Sequence, residues 1–448
     1  MYMNMIDFLI IHFRRYDYAV FLLFSLFFVT QVFICNKNIK TLITFSIFES
    51  TLLCLIAYLI YFISIIVSLL AIFICLIFPS YFDHVEALIA ATSWLTWNGL
   101  PTYPSWQHGQ GIYGLLYGPV TYEINAISVG IFTSVLGSKI IGVLSIFATV
   151  IIEYLTFRKF FLKDNETLKI LFLSILLSAN AVYPDQINRG DSFILLLSAL
   201  SIYIVTTFES LVACAIVGLC AGLAIGMKAH AFLYIAPSAA LIVCKAPCTG
   251  ESLARRLIVG ISCAVMAVFL PFLWPGVRLE AFLQYLLGAA HQPILLGLII
   301  RNLVLCGALA MLPIAAYLIR RPKLGHADKA LQIATAVCMM LVAVIAGKVG
   351  AGPNHIYPFV PVIMVALVRI LSAPTSEPAG RDTDLEGRNI LNALLVLTAF
   401  SFGMGGVLKN LSPIEIGLSS AYQRATAESN ELVRIVSKYP DAVMGVIV

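Results

Sequence analysis

Apolar residues run through this chain in long stretches broken by short polar segments, at about 18–35, 51–78, 138–157, 168–184, 191–208, 211–227, 231–244, 257–275, 294–319, 329–347, 356–371 and 390–407. A run of about 20 apolar residues is what a helix needs to cross the hydrocarbon of a bilayer. A membrane β-barrel would instead show alternating segments of about 10 residues. Lipid offers the backbone no hydrogen-bond partner, so only helices or closed barrels span it. The pattern therefore predicts an all-α polytopic membrane protein with about ten to twelve transmembrane helices. Four regions follow: membrane anchor helices over 1–79, a large loop over 80–137, a helix bundle over 138–407, and a polar stretch over 408–448. The 41–79 region reads as one long helix or two short ones. The apolar stretch after Pro119 is expected to re-enter or lie on the surface, because a full crossing there would flip every later loop.

Composition supports the lipid reading. The 448 residues are 60% hydrophobic and 11% charged, with a mean hydropathy of +0.96; a soluble domain carries about 25% charged residues to solvate its surface. No Lys/Arg block interleaved with aromatics points to nucleic acid. The ten Cys residues lie mostly inside apolar runs, where a thiol is a small apolar filler. Cys244 and Cys248 flank a Pro without a His or second Cys pair, which argues against zinc. The first apolar run lacks a small-residue cleavage site and reads as a retained helix.

The net charge of +5 matters less than its placement. Arg158, Lys159, Lys163 and Lys169 share one connection; Lys245, Arg255 and Arg256 another; Arg320, Arg321, Lys323 and Lys329 a third; Arg381 and Arg388 a fourth. These are alternate loops, so the positive-inside rule sets them in the cytosol. The other loops, 80–137, 184–190, 228–230, 276–293, 348–355 and 408–448, then face outward. Arg14 and Arg15 fit this scheme less well. No Gly precedes Gly99; Gly and Pro then cluster in the outward loops, where backbone bends close to something.

Candidate chemistry lies in those outward loops. Residues 84–97 predict an amphipathic helix at the interface, where Trp94 and Trp97 are favoured. Asp83 and Glu86 are three apart and share one face of such a helix. Asp83 is placed to act as a base with a raised pKa, or to N-cap the helix with Glu86 as capping-box partner. Tyr117-Gly118-Pro119 shapes the start of the next stretch. Arg189, in Asn188-Arg189-Gly190-Asp191, can grip a phosphate in bidentate fashion, or pair with Asp185 or Asp191. Lys228, squeezed with His230 between two spans, either has a partner or snorkels to the interface. Lys348, Asn354 and His355 surround Gly350 and Gly352, an arrangement suited to an anion or to a tight turn. It is not a P-loop, since the Lys precedes the glycines. In 408–448, residues 420–439 predict an amphipathic helix and 442–448 the start of a strand, as at the beginning of a truncated soluble domain.

Together these loops resemble the GT-C glycosyltransferases, the polytopic family that includes protein O-mannosyltransferases and the lipid A aminoarabinose transferase. The resemblance rests on Asp83 in Tyr-Phe-Asp-His-Val-Glu, on Tyr-Gly-Pro-Val-Thr-Tyr-Glu (117–123), on Asn188–Ser192, on Gly222–His230 with its Lys, and on Gly350–Pro361. It covers about residues 50–410. The N-terminal span and the 408–448 stretch depart from it, and Glu86 matches the family's second carboxylate only loosely. The resemblance implies a polyprenyl-phosphate sugar donor and an acceptor hydroxyl on a glycan, lipid or protein. It also implies a site on the outer face of a bacterial inner membrane. Asp83 would be the base; Glu86, Tyr117, Arg189, Lys228, His230, Lys348, Asn354 and His355 would bind substrate. No cofactor is implied, and no metal-ligand spacing stands out, although a divalent metal is compatible with the carboxylates. The competing class is a transporter or a lipid or polysaccharide flippase, which predicts charges near the bilayer midplane and internal repeats.

Overall fold

The structure, a computed structural model, describes residues 59, 61–78, 81, 84–103, 117–132, 134–160, 165–181, 187–245, 252–348 and 351–375, with isolated positions between 391 and 427. Every regular element among them is a helix. In chain order these are α1 (Tyr61–Ile77), α2 (His84–Trp97), α3 (Pro119–Phe132), α4 (Val135–Arg158), α5 (Asn165–Ala181), α6 (Asp191–Thr207) and α7 (Leu211–Met227). There follow α8 (Phe232–Cys244), α9 (Leu253–Phe269), α10 (Leu279–Ala290), α11 (Leu296–Arg320), α12 (His326–Ile345) and α13 (Val360–Ser372). Short 3-10 turns at Leu270–Leu273 and Pro353–Phe359 extend α9 and precede α13.

Among the described residues, five segments are long and apolar enough to cross a membrane: Val135–Arg158, Leu253–Leu273, Leu296–Arg320, His326–Ile345 and Asn354–Ser372. At 1.5 Å per residue the 24 residues of α4 reach about 36 Å. α1, α5, α6, α7 and α8 are apolar but shorter, and lie among the longer helices. The run expected at 18–35 lies outside the described residues, and the positions described between 391 and 427 are all helical.

The surface is the reverse of a water-soluble one. On α4, Leu144, Phe147, Ile151 and Tyr154 form an exposed apolar stripe, whereas Ser145, Thr149, Glu153 and Thr156 are buried. The hydroxyls of Ser145, Thr149 and Thr156 return to carbonyls four residues back, and Ser174 and Ser178 of α5 donate to Glu153 Oε1 at 2.9 and 2.7 Å. Polar groups turned inward and apolar groups turned outward suit a hydrocarbon solvent, because an unpartnered polar group there costs several kcal/mol. α9 packs chiefly on α7, where Gly218 and Gly222 let the two backbones meet, as small residues do between membrane helices.

α2 occupies the residues expected of it, with an inverted face. Glu86, Thr92, Ser93 and Thr96 are buried, while Trp94 and Trp97 are exposed. The stretch after Pro119 is helix α3, packed on α2 and α4. The sequence pattern presents 276–293 as plain loop; the segment holds α10, whose exposed Leu279, Leu283, Leu286 and Leu287 form an apolar face. That segment is too short to register as a crossing and too polar at its edges to read as a buried span.

The two ends of the bundle differ chemically. At one end the buried Arg256 donates to the carbonyls of Ile242 and Glu209, both at 3.1 Å. Lys245 Nζ meets the Glu209 carboxylate at 2.8 Å, and Arg369 pairs with Asp328 close by. Lys245 and Arg256 belong to one of the loops set in the cytosol by basic charge. The described parts of the loops at 80–137, 184–190, 228–230, 276–293 and 348–355 meet at the opposite end.

Candidate functional site

The opposite end is built around residues 187–191, just before α6. Gly190 has φ +79°, a left-handed conformation, and a Cβ there would press on Thr121 of α3. Because Gly190 rather than Asp191 sits at the N-cap, the Asp191 carboxylate is free to leave its own helix. It accepts from Lys228 Nζ at 2.5 Å, with both side chains 8% exposed. Lys228 also stands 5.2 Å from the Tyr117 ring centroid, within range of a cation–π contact. Lys228 is thus partnered and buried, and does not snorkel.

Tyr117 is brought there by a close backbone approach. Gly118 N donates to Met227 O at 2.7 Å, and a Cβ on Gly118 would overlap the Gly226 carbonyl. Gly118→Ala is therefore expected to destabilise the protein by about 1–3 kcal/mol, the usual cost of forcing extra volume into a packed contact. A fall in melting temperature in detergent measures it.

Beyond Lys228, His230 Nε2 and His355 Nδ1 are 3.3 Å apart, with ring centroids 5.3 Å apart. Tyr234 donates its hydroxyl to the His355 carbonyl at 2.8 Å, fixing the 3-10 turn that carries it. Burial, reinforced by the Lys228 and Lys348 charges, pushes His230 down to about 3. Lys348 itself serves the fold, since Nζ donates to Ala289 O and Ala290 O, both at 3.3 Å. A cation at the carboxyl end of α10 is favourable there. Asn354 lies half-buried at the start of the same turn as His355.

A second group surrounds the first turn of α2. Glu86 is fully buried, and its charge is felt at Tyr81 and Lys139. Lys139 donates to Cys75 O at 2.8 Å and Phe78 O at 3.3 Å, closing the carboxyl end of α1. Asn188 Nδ2 donates to Glu86 O at 2.9 Å. Arg189 is half-buried in the segment between the two groups. Asp83 lies outside the described residues. On α3, the half-buried Glu123 is pushed up to about 8 by burial.

No family model and no curated protein matches this chain. Among solved structures it is similar to ArnT from Cupriavidus metallidurans, an aminoarabinose transferase. The apo form is 13% identical with a TM-score of 0.49, covering 78% of this chain and 75% of that one. The form bound to undecaprenyl phosphate is 12% identical with a TM-score of 0.49, covering 78% and 76%.

Of the residues singled out from sequence, Tyr117, Lys228, His230, Lys348 and His355 converge, with Asn354 beside them. Glu86 belongs to the adjoining group. Sequence alone makes Asp191 a cap or a partner for Arg189; its pairing with Lys228 depends on packing between α6 and α7. Tyr234 and Asn125 carry no signal in the sequence, because each sits inside an apolar run with no local marker; Glu123 closes the 117–123 stretch but is not singled out there as a site residue. Among the described residues no three His, Cys, Asp or Glu side chains are grouped to hold a metal.

His230 supplies a pH test. Its folded pKa lies below the ordinary value of 6.5, so between those values the unfolded chain binds more protons. Its contribution is whole above 6.5 and is lost as pH falls toward about 3. Wild type should therefore lose more melting temperature between about pH 7 and pH 4.5 than His230→Gln. Equal losses would show that His230 titrates normally.

Proposed function

We propose that this protein is a membrane glycosyltransferase that moves a sugar from a polyprenyl-phosphate donor to an acceptor hydroxyl at the outer face of a bacterial inner membrane. The observation that carries the reading is the convergence of Lys228, His230 and His355, which residues 187–191 join to the first turn of α2. A lipid-linked donor keeps its tail in the bilayer and its phosphate at the interface, where such a cluster is needed.

In this mechanism Asp83 takes the proton of the acceptor hydroxyl. The hydroxyl oxygen attacks the anomeric carbon, and the bond from that carbon to the phosphate oxygen breaks. The departing phosphate carries the negative charge, which Lys228 and Arg189 stabilise. His230, His355 and Asn354 offer hydrogen bonds to phosphate or sugar, and Tyr117 walls the site. Glu86, buried in the first turn of α2, supplies negative charge behind it. Lys348 reaches a donor once it releases the end of α10.

A transporter or flippase is the alternative class. Three charges do lie within α4, Lys139, Glu153 and Arg158, but each is nearer an end of that helix than its middle. The test is sugar transfer by the purified protein in proteoliposomes supplied with polyprenyl-phosphate sugars and an outer-leaflet acceptor. Release of polyprenyl phosphate with a new glycoside supports the reading. Movement of intact donor across the bilayer without a new glycoside would replace it with the flippase.

A further inference from the structure

His230 and His355 meet where the connection between α7 and α8 faces the 3-10 turn before α13, with His230 Nε2 and His355 Nδ1 3.3 Å apart. Tyr234, 1% exposed, holds both. Its hydroxyl donates to His355 O at 2.8 Å, and its ring stands edge-on to that of His230, centroids 6.1 Å apart. Phe359 packs edge-on against Tyr234 in turn, at 4.9 Å. A neutral imidazole carries one N–H and one lone pair. Burial and the Lys228 and Lys348 charges oppose a further proton on His230, so the pair carries two N–H groups in all. The 3.3 Å contact uses one N–H and one lone pair. His230 Nδ1 and His355 Nε2 are left, one with a hydrogen and the other with a lone pair. Whichever ring donates within the pair, the remaining pattern is one donor and one acceptor. Neither of these two nitrogens has a hydrogen-bond partner among the described residues.

We propose that the His230–His355 pair is a subsite for hydroxyls of the donor's sugar and not for its phosphate. An ionised phosphate oxygen only accepts, so it uses the N–H and leaves the lone pair facing negative charge. Carbohydrate hydroxyls both donate and accept, and they satisfy the two nitrogens together. This deepens the functional reading above and rests on it: with the phosphate on Lys228, two residues before His230, the group next along the donor is its sugar ring. Leaving a buried donor or acceptor without its partner typically weakens binding by about 10–100-fold. The pair therefore selects among sugars by a hydroxyl, while the cation holds what all lipid-phosphate donors share.

The test measures binding to full-length protein in nanodiscs, without acceptor. The probes are bare polyprenyl phosphate and polyprenyl phosphate carrying glucose, mannose or galactose, the sugars also made with one hydroxyl at a time replaced by hydrogen. Wild type is compared with His230→Phe and His355→Phe, which keep an aromatic ring and remove both nitrogens. Each variant should bind the sugar-bearing lipid that wild type holds tightest about 10–100-fold more weakly, and should bind bare polyprenyl phosphate as wild type does. One deoxy form of that lipid should bind wild type more weakly by a similar factor and lose nothing further in either variant. A pair needed only for folding would move bare and sugar-bearing lipid together and would couple to no single hydroxyl. Equal losses for the two lipids, no loss for either, or a full further loss on every deoxy form overturns the inference. Wild type that holds no sugar-bearing lipid more tightly than bare lipid overturns it as well. Wild type that binds neither kind of lipid overturns the functional reading instead and takes the subsite with it.

Discussion

Asp83→Asn should leave the protein folded and cut sugar transfer by about 10²–10⁴-fold, the usual contribution of a general base. Asn keeps the size of Asp and caps a helix about as well, so α2 loses nothing at its start. What Asn cannot do is accept the proton of the acceptor hydroxyl. Asp83→Ala separates the two roles: where Asp83 caps α2 as well, it should cost about 0.5–2 kcal/mol of stability besides the activity. If Asp83 only caps α2, the pattern reverses: Asn is nearly silent and Ala destabilises. Initial rates of transfer and melting temperatures in detergent, measured on both variants, decide between these outcomes. A well-folded Asp83→Asn protein with near-normal transfer would remove Asp83 from the mechanism.

Lys228→Met should be the most damaging change on the cation side. The ammonium and the Asp191 carboxylate meet at 2.5 Å with both side chains 8% exposed. Met keeps much of the length of Lys, so packing against Tyr117 largely survives. The charge does not, and Asp191 is left buried without its partner. Breaking a buried pair in this way typically costs about 3–5 kcal/mol. Transfer and polyprenyl-phosphate binding should both fall, because the proposed mechanism gives Lys228 the charge on the leaving phosphate to stabilise. Lys228→Met with Asp191→Asn separates stability from chemistry: removing the second charge should restore much of the melting temperature and none of the phosphate binding. Restored binding in the double variant would mean that Lys228 serves the fold alone.

The membrane character, the helical class and most helix limits are determined by local sequence. Spans expected at 191–208, 211–227 and 231–244 are the helices Asp191–Thr207, Leu211–Met227 and Phe232–Cys244. A helix satisfies its backbone from residues four apart, and its exposure to lipid follows from composition, so neither needs distant partners. The alternation of basic loops likewise sorts the two ends before any packing is considered. Residue types in the outward loops single out Tyr117, Lys228, His230 and His355, because a charged or aromatic group squeezed between apolar runs is conspicuous.

Pairings are another matter. Nothing near Lys228 in sequence indicates Asp191, 37 residues earlier, and nothing near Glu86 indicates Asn188. Lys348 shows the limit well. Its position beside Gly350 and Gly352 suggests an anion, but the structure gives its ammonium to the end of α10, a helix that the hydropathy pattern does not announce. Partner choice depends on which helix ends are brought together, and that is decided by side-chain packing over the whole bundle. Local periodicity carries no such information, so the chemistry of these loops becomes specific only where α2, α3, α6, α7 and the turn before α13 meet at one end.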